Sequence, residues 1–389
     1  MLVLKKLKNL IINSAQCFSG FIPKRKNLWV FGSWSGKLYA DNSKYLFEYI
    51  NQHHPEIDAV WITRDKEIQN ELSKKGYNCF MRFSAKGILS AIRAEAAFIT
   101  SDEVNDISPF ASRKRTRVIS LWHGIAAKGF NWTLDKYENK ARTEKAFQRF
   151  REYYWAASSD EYIRAFGNAL KIPKERFVVT GYPRNDTFVT KPNNHNLELL
   201  KEKYPNDKFV IYMPTHREYG KRPIEVREFD LIDQELRRQN VIMVYKPHFN
   251  ELRNLNGYES HFTNIIVAKD QKVWGDVYSY IHYFDLLISD YSSIVYDFLC
   301  ADKPIVLYTY DLDHFKSHDF GLTAYFDSLP VGPVCFTWDE VLKNMSSLLI
   351  KDIWKEKRNE CRKVFHPQED GHNSERVFNA AVAIINSST

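Results

Sequence analysis

Cysteine is scarce and scattered. Five occur in 389 residues, at Cys17, Cys79, Cys300, Cys335 and Cys361. The number is odd and there is no C-x-x-C pair, so the spacing predicts neither a zinc site nor a disulfide framework, and a reducing compartment suits it. No run of about 20 apolar residues occurs, so no transmembrane helix is predicted. The pattern favours a secretory signal less: Asn9 and Asn13 interrupt the apolar N-terminal stretch, and no clear small-residue cleavage site follows. The dinucleotide fingerprint G-x-G-x-x-G is missing. Gly32-Ser33-x-x-Gly36 departs from it, so no dinucleotide reading is made there. No internal repeat or low-complexity tract stands out.

What is present is apolar and basic. Apolar residues make up 44% of the chain and aromatic residues 15%, enough for large cores. A chain of this length divides naturally into two domains of roughly 150–200 residues. The formal net charge of +7 favours acidic partners, whether nucleotides, phosphopolymers, anionic lipid or nucleic acid. At the N-terminus, Leu4, Leu7, Leu10, Ile11 and Phe18 fall on one helical face. Lys5, Lys6 and Lys8 lie beside or opposite it, and Lys24, Arg25 and Lys26 close the segment. Residues 1–26 therefore read as a basic amphipathic helix suited to an anionic membrane surface.

Beyond it, short apolar runs alternate with helical patterns. Strands are expected at Asn27–Gly32, Ala59–Thr63, Cys79–Phe83, Ala96–Thr100, Val118–Trp122 and Phe177–Thr180. Lys191–Asn196 reads as a linker, with residues 27–192 and 193–389 as the two domains. Strands follow at Phe209–Met213, Val241–Tyr245, Ile265–Val267, Leu286–Ser289 and Ile305–Tyr308, and helices near Asp339–Ile350, Ile353–Val364 and Asn373–Ile385 end the chain. The alternation predicts two α/β domains with parallel sheets.

Five strands end in polar clusters: WHG, GYPRND, PTHR, KPHF and SDYSS. In open parallel sheets ligands sit at the carboxyl ends of strands, so the clusters of two facing domains would converge on one cleft. His123, with Gly124 and Lys128 near it, has the makings of a general base beside a phosphate contact. Arg184 and Arg217 are suited to bidentate phosphate binding, with Thr215, Lys246 and His248 at neighbouring strand ends. Ser292 and Ser293 would open a helix whose N-terminus attracts phosphate, and Asp297 would accept hydrogen bonds from a ribose or polyol.

Taken together these motifs resemble the CDP-glycerol glycerophosphotransferase family of teichoic-acid priming and polymerising enzymes. The matching elements are WHG with Lys128, GYPRND, Pro214-Thr215-His216-Arg217, Lys246-Pro247-His248, and SDYSS-x-x-x-D at Ser289–Asp297. Lys303–Asp311 and Glu369–Val377 match as well, so the resemblance covers about residues 25–385. It implies a GT-B-like fold of two Rossmann-like domains, acceptor first and CDP-donor second. It places the family's two important histidines on His123 and His248. Nucleotide and phosphate contacts fall on Trp122, His123, Gly124, Ile125, Ala126, Arg184, Pro214, Thr215, Lys246, Ser292, Ser293 and Asp297. Ile125 and Ala126 stand where the family usually has Thr-Pro, which removes a hydroxyl on the acceptor side.

The implied reaction is transfer of glycerol phosphate or ribitol phosphate from a CDP-polyol to a hydroxyl of a lipid-linked saccharide or polyol-phosphate acceptor. CMP is released, and the product belongs to a teichoic-acid or capsule-type polymer. No cofactor and no dedicated metal site are expected, although magnesium can travel with the donor. The expected location is the cytoplasmic face of the membrane, peripherally bound. Two other readings compete: a glycosyltransferase of the same fold using a nucleotide sugar, and a non-catalytic protein that binds an anionic polymer. Against the last, the basic residues lie at strand ends rather than in one stripe, and no nucleic-acid motif is present.

Overall fold

The computed structural model describes residues 21–111, 115–125, 148–217, 226–247, 262–318 and 331–387. Ala126, Lys128, His248 and the first 20 residues lie outside the described residues. The chain forms two compact units. Residues 1–123, 141–186 and 370–389 make one, and residues 124–140 and 187–369 make the other.

Unit 1 is built on a parallel sheet of seven strands. β1 (Arg25–Phe31) leads through helix α1 (Asp41–His53) to β2 (Asp58–Thr63), then through α2 (Lys66–Lys74) to β3 (Asn78–Met81). Helix α3 (Ala85–Arg93) returns the chain to β4 (Ala94–Ile99), which is followed by the short helix α4 (Glu103–Asp106). β5 (Arg117–Ser120), β6 (Tyr154–Ala157) and β7 (Phe177–Val179) complete a sheet in the order β3-β2-β1-β4-β5-β6-β7. The first three strands run outward in one direction and β4 starts again on the other side of β1. The loops after β1 and β4 therefore part at a topological switch point, where such sheets receive ligands.

Unit 2 repeats the scheme with six strands. Its strands are β8 (Lys208–Met213), β9 (Val241–Tyr245), β10 (Ile265–Val267), β11 (Leu286–Ser289), β12 (Ile305–Tyr308) and β13 (Val334–Cys335), in the order β10-β9-β8-β11-β12-β13. Helix α5 (Val226–Arg238) links β8 to β9, and the short helix α6 (Ile294–Phe298) follows β11. The switch point here lies between β8 and β11, which pair in parallel from Leu286↔Val210 to Ser289↔Met213. Helix α7 (Trp338–Ile350) packs on the sheet, with Trp338, Val341, Leu342, Met345 and Leu348 joining Tyr212, Met243 and Ile288 in the core. Helix α8 (Lys355–Phe365) follows.

The expected domain limits change at both ends. β1 begins at Arg25, not Asn27, because the last cations of the N-terminal segment are held by the folded unit. Lys24 Nζ donates to the Ile92 carbonyl at 2.6 Å, and Arg25 pairs with Asp58 at 2.7 Å. Burial lowers the Lys24 ammonium to about 8. The last helix, α9 (Asn373–Asn386), belongs to unit 1 rather than to the second half. Its apolar face inserts Val377, Phe378, Ala381 and Ile384 among Trp29, Phe98 and Ile119, with the Phe378 ring 5.5 Å from Trp29. The loop after β7 fixes where it starts. Asp186 accepts the N–H groups of Asn373 and Ser374, each at 2.9 Å, and the Ser374 hydroxyl at 2.7 Å. Gly181 (φ +75°) lies so close beneath that a Cβ would stand 2.0 Å from Asn373 Oδ1. β6 and β13 are strands that the apolar pattern did not predict, and two 3₁₀ turns, Val277–Ser279 and Ile281–Tyr283, precede β11.

Candidate active site

In unit 1 the chain after β5 carries Trp122 and His123. His123 Nδ1 lies 2.9 Å from the Thr100 carbonyl, at the end of β4. A carbonyl only accepts, so Nδ1 bears the proton and the lone pair of the neutral ring is on Nε2. The imidazole stacks on Trp122 at 4.3 Å and lies 5.5 Å from the ring of Trp34, in the loop after β1. Trp122 is anchored in turn: its carbonyl accepts Asn42 Nδ2 at 3.0 Å, and its ring contacts Trp155 and Phe166. Ile125 is buried beyond the loop.

Four residues around this histidine have left-handed backbones without being glycine: Trp34 (φ +47°), Ser35 (+59°), Asp41 (+67°) and Trp122 (+49°). Each such conformation costs about 1–3 kcal/mol and persists only where surrounding contacts over-determine it. The contacts are on hand. Trp34 donates its N–H to Thr100 Oγ1 at 3.2 Å and its Nε1–H to Asp41 Oδ2 at 3.0 Å. Asp106 accepts N–H groups from Ser35, Thr100 and Ser101. Burial raises its carboxyl to about 6.

Arg184 was expected on a phosphate, and its surroundings are otherwise. The side chain is 1% exposed, Nη1 pairs with Asp41 Oδ1 at 2.6 Å, and its N–H donates to Asn42 Oδ1. It ties the loop after β7 to the first turn of α1 and presents no open guanidinium.

Unit 2 brings together most of the remaining predicted residues. Pro214, Thr215 and Arg217 follow β8, Lys246 follows β9, and Asp290 to Ser293 follow β11. Asp290 accepts the Thr215 N–H at 2.9 and 3.0 Å and pairs with Arg217 Nη2 at 2.9 Å. Arg217 also grips Asp311 through Nε at 2.6 Å and Nη2 at 3.0 Å, and lies over the rings of Tyr291, Tyr310 and Phe315. This second arginine is therefore a strut across β8, β11 and β12, not a phosphate clamp. Asp297 is fully buried, and its Oδ2 accepts the Tyr278 hydroxyl at 2.7 Å.

Other groups keep ligand-binding chemistry. Among the described residues Thr215 Oγ1 is buried with no hydrogen-bond partner, a state that costs about 1–3 kcal/mol. Ser293 opens α6 without a side-chain cap bond, and Ser292 stands half-buried before it. Lys246 Nζ donates to the Trp274 carbonyl, and burial lowers its ammonium to about 8. No group of three His, Cys, Asp or Glu suited to a metal ion occurs among the described residues.

Sequence reading missed Trp34, Asp41, Asn42, Thr100 and Asp106. The Asp-Asn pair at the start of α1 and the Thr-Ser-Asp run after β4 are helix-cap patterns, and nothing local marks them as the frame of His123.

Two parallel α/β units, each with polar groups at its switch point, define a GT-B-like fold. Known proteins agree. A profile described as "CDP-Glycerol:Poly(glycerophosphate) glycerophosphotransferase" matches residues 15–383, and the chain belongs to that family. It is 26% identical over 399 residues to a teichoic acid glycerol-phosphate transferase of Staphylococcus aureus, covering 95% of this chain and 97% of that protein. Identity is 25% to a teichoic acid poly(glycerol phosphate) polymerase of Bacillus subtilis, covering 90% of this chain and 47% of the relative. It is also 25% to a teichoic acid poly(ribitol-phosphate) polymerase of Bacillus spizizenii, covering 97% and 60%. The chain thus spans about half to three-fifths of the length of those two polymerases. Among solved structures, the wall teichoic acid polymerase TagF superposes with a TM-score of 0.78 at 19% identity, covering 99% of this chain and 97% of that one.

Proposed function

We propose that this chain transfers a polyol phosphate, glycerol phosphate or ribitol phosphate, from a CDP-activated donor to a hydroxyl of a lipid-linked acceptor. The observation that carries the reading is the tautomer of His123. With Nδ1–H on the Thr100 carbonyl, Nε2 is the basic atom, and it suits a general base. In the proposed step the acceptor hydroxyl loses its proton to Nε2 and its oxygen bonds to the polyol-bearing phosphorus. The bond from that phosphorus to the bridging oxygen breaks, and CMP leaves with the electron pair. Phosphoryl chemistry of this kind needs positioning and charge stabilisation more than covalent help.

Unit 2 would serve the donor. Ser292, Ser293 and the buried Thr215 hydroxyl offer donors to the pyrophosphate, and Lys246 offers positive charge. His248 joins them on family resemblance alone. Arg184, Arg217 and Asp297 become positioning residues. The acceptor's lipid anchor motivates a location at the membrane surface, with Leu4, Leu7, Leu10 and Ile11 entering the interface beside Lys5, Lys6 and Lys8. No helix among the described residues is long and apolar enough to cross a membrane.

The deciding experiment offers the purified chain CDP-glycerol, CDP-ribitol and UDP-sugars with a lipid-linked saccharide acceptor. CMP release and a product heavier by one or more polyol phosphates support the reading. UDP release alone replaces it with sugar transfer. Salt-dependent polymer binding without turnover of any donor leaves a binding protein.

A further inference from the structure

One buried carboxylate outside the assigned site directs its hydrogen bonds at the two loops that frame His123. Asp106, the last residue of α4, is fully buried. Its Oδ1 accepts the Ser35 N–H at 2.7 Å, and its Oδ2 accepts the N–H groups of Thr100 at 2.9 Å and Ser101 at 2.7 Å. Thr100 then presents its carbonyl to His123 Nδ1 and its hydroxyl oxygen to the Trp34 N–H. The approach is close enough to exclude a side chain at the end of β1: a Cβ on Gly32 would lie 2.3 Å from the Asp106 carbonyl oxygen.

Helix stability does not account for this placement. A carboxylate at a helix C-terminus opposes the helix dipole, and α4 already has its N-cap in Asp102, which accepts the Asn105 N–H at 2.9 Å. Burying a charge is costly unless hydrogen bonds meet it. Here three backbone donors meet it, drawn from the loops after β1 and β4. Two of the strained residues, Trp34 and Ser35, belong to the first of those loops.

We propose that Asp106 is a positioning residue for the transfer reaction: it clamps the Trp34–Ser35 turn to Thr100–Ser101 and so fixes the tautomer and orientation of His123. The inference rests on His123 being the base, but its test does not. Asp106→Asn replaces one acceptor by an N–H₂ of equal size, which must then face either the Ser35 donor or the Thr100 and Ser101 donors. One loop detaches, and the Thr100 carbonyl no longer meets Nδ1 at a fixed place. A displacement of about 1 Å at a catalytic group costs up to about 100-fold.

The experiment uses the full chain and reads two quantities. CMP release from CDP-glycerol is expected to show kcat lowered about 10- to 100-fold, with KM for the donor unchanged, because the donor contacts proposed on Thr215, Lys246, Ser292 and Ser293 lie in unit 2. The ¹⁵N spectrum of His123, assigned by its loss in His123→Ala, is expected to change from one tautomer, protonated on Nδ1, to a mixture. An unchanged tautomer in folded Asp106→Asn overturns the proposal, whatever happens to the rate. If Asp106→Asn does not fold, Thr100→Val is read the same way. It removes the acceptor for the Trp34 N–H and the hydroxyl that donates to Asp106 Oδ2 at 3.4 Å, and is expected to lower kcat with KM held; an unaltered kcat there overturns the proposal. Undiminished turnover in His123→Ala would instead remove the base assignment and leave the tautomer test standing.

Discussion

Arg184→Met separates a structural arginine from a phosphate-binding one. The guanidinium of Arg184 is 1% exposed and the Asp41 side chain 5% exposed, with 2.6 Å between them. Breaking a buried pair by removing one partner costs about 3–5 kcal/mol, because the other charge stays behind. Asp41 keeps two donors, Trp34 Nε1–H at 3.0 Å and the Asn42 N–H at 2.7 Å, which places the expected loss near the lower figure. For a unit of this size, about 3 kcal/mol corresponds to a fall in melting temperature of roughly 6–12 °C. Asp41→Ala with Arg184→Met removes both charges, and the loss should then be well below the sum of the single losses. The assays are thermal unfolding followed through the tryptophans and steady-state CMP release. A stable Arg184→Met protein with a raised KM for the donor would refute this account and return Arg184 to the phosphate.

His123→Ala and His248→Ala should each lower turnover by a factor of about 10²–10⁴ while the melting temperature holds; normal rates in both would end the proposed chemistry. Lys246 is charged below about 8 and neutral above it, so donor KM should rise between pH 7 and pH 9, and Lys246→Arg should flatten that rise. Gly181→Ala meets both a positive φ and Asn373 Oδ1 at 2.0 Å, so it should destabilise by at least about 1–3 kcal/mol and speed hydrogen exchange in α9; equal exchange would contradict the docking of α9. Full-length protein should float with anionic liposomes and a chain beginning at Phe21 should not. Lys5, Lys6 and Lys8 each contribute up to about 1 kcal/mol, an attraction that weakens with salt; equal flotation would remove the N-terminal segment from the membrane reading.

Much of the fold was legible because local pattern carries it. Apolar runs such as Val241–Tyr245 and Leu286–Ser289 are buried on both faces, and a parallel sheet writes that burial into sequence as near-continuous hydrophobicity. The polar cluster after each run then marks the strand's carboxyl end, which is why the sequence places His123, Thr215, Lys246 and Ser292 at strand ends, as the structure does. β6 was not, because Tyr154–Ala157 is four residues long and follows a charged stretch. Nor was the return of α9, since its amphipathic face fits either unit and only Asp186 and the surface around Trp29 decide between them. The frame of His123 was invisible for the same reason: Asp106 and Ser35 are 71 residues apart, and Asp41 and Arg184 are 143 apart.

The arginines show where reading chemistry from residue type fails. Arginine at a strand end suits a phosphate, and it suits equally a carboxylate from the next loop. Arg217 meets Asp290 and Asp311, and Arg184 meets Asp41, so both guanidinium charges are neutralised within the protein. Each holds loops from different strands in one arrangement. The net charge of +7 therefore says little about the site itself. Among the described residues, the groups proposed for a pyrophosphate are neutral donors, the hydroxyls of Thr215, Ser292 and Ser293, with Lys246, whose charge lapses near pH 8. The loops that carry Thr215 and Ser292 are held together by the pairs of Arg217 with Asp290 and Asp311, so the proposed donor site depends on those buried ion pairs.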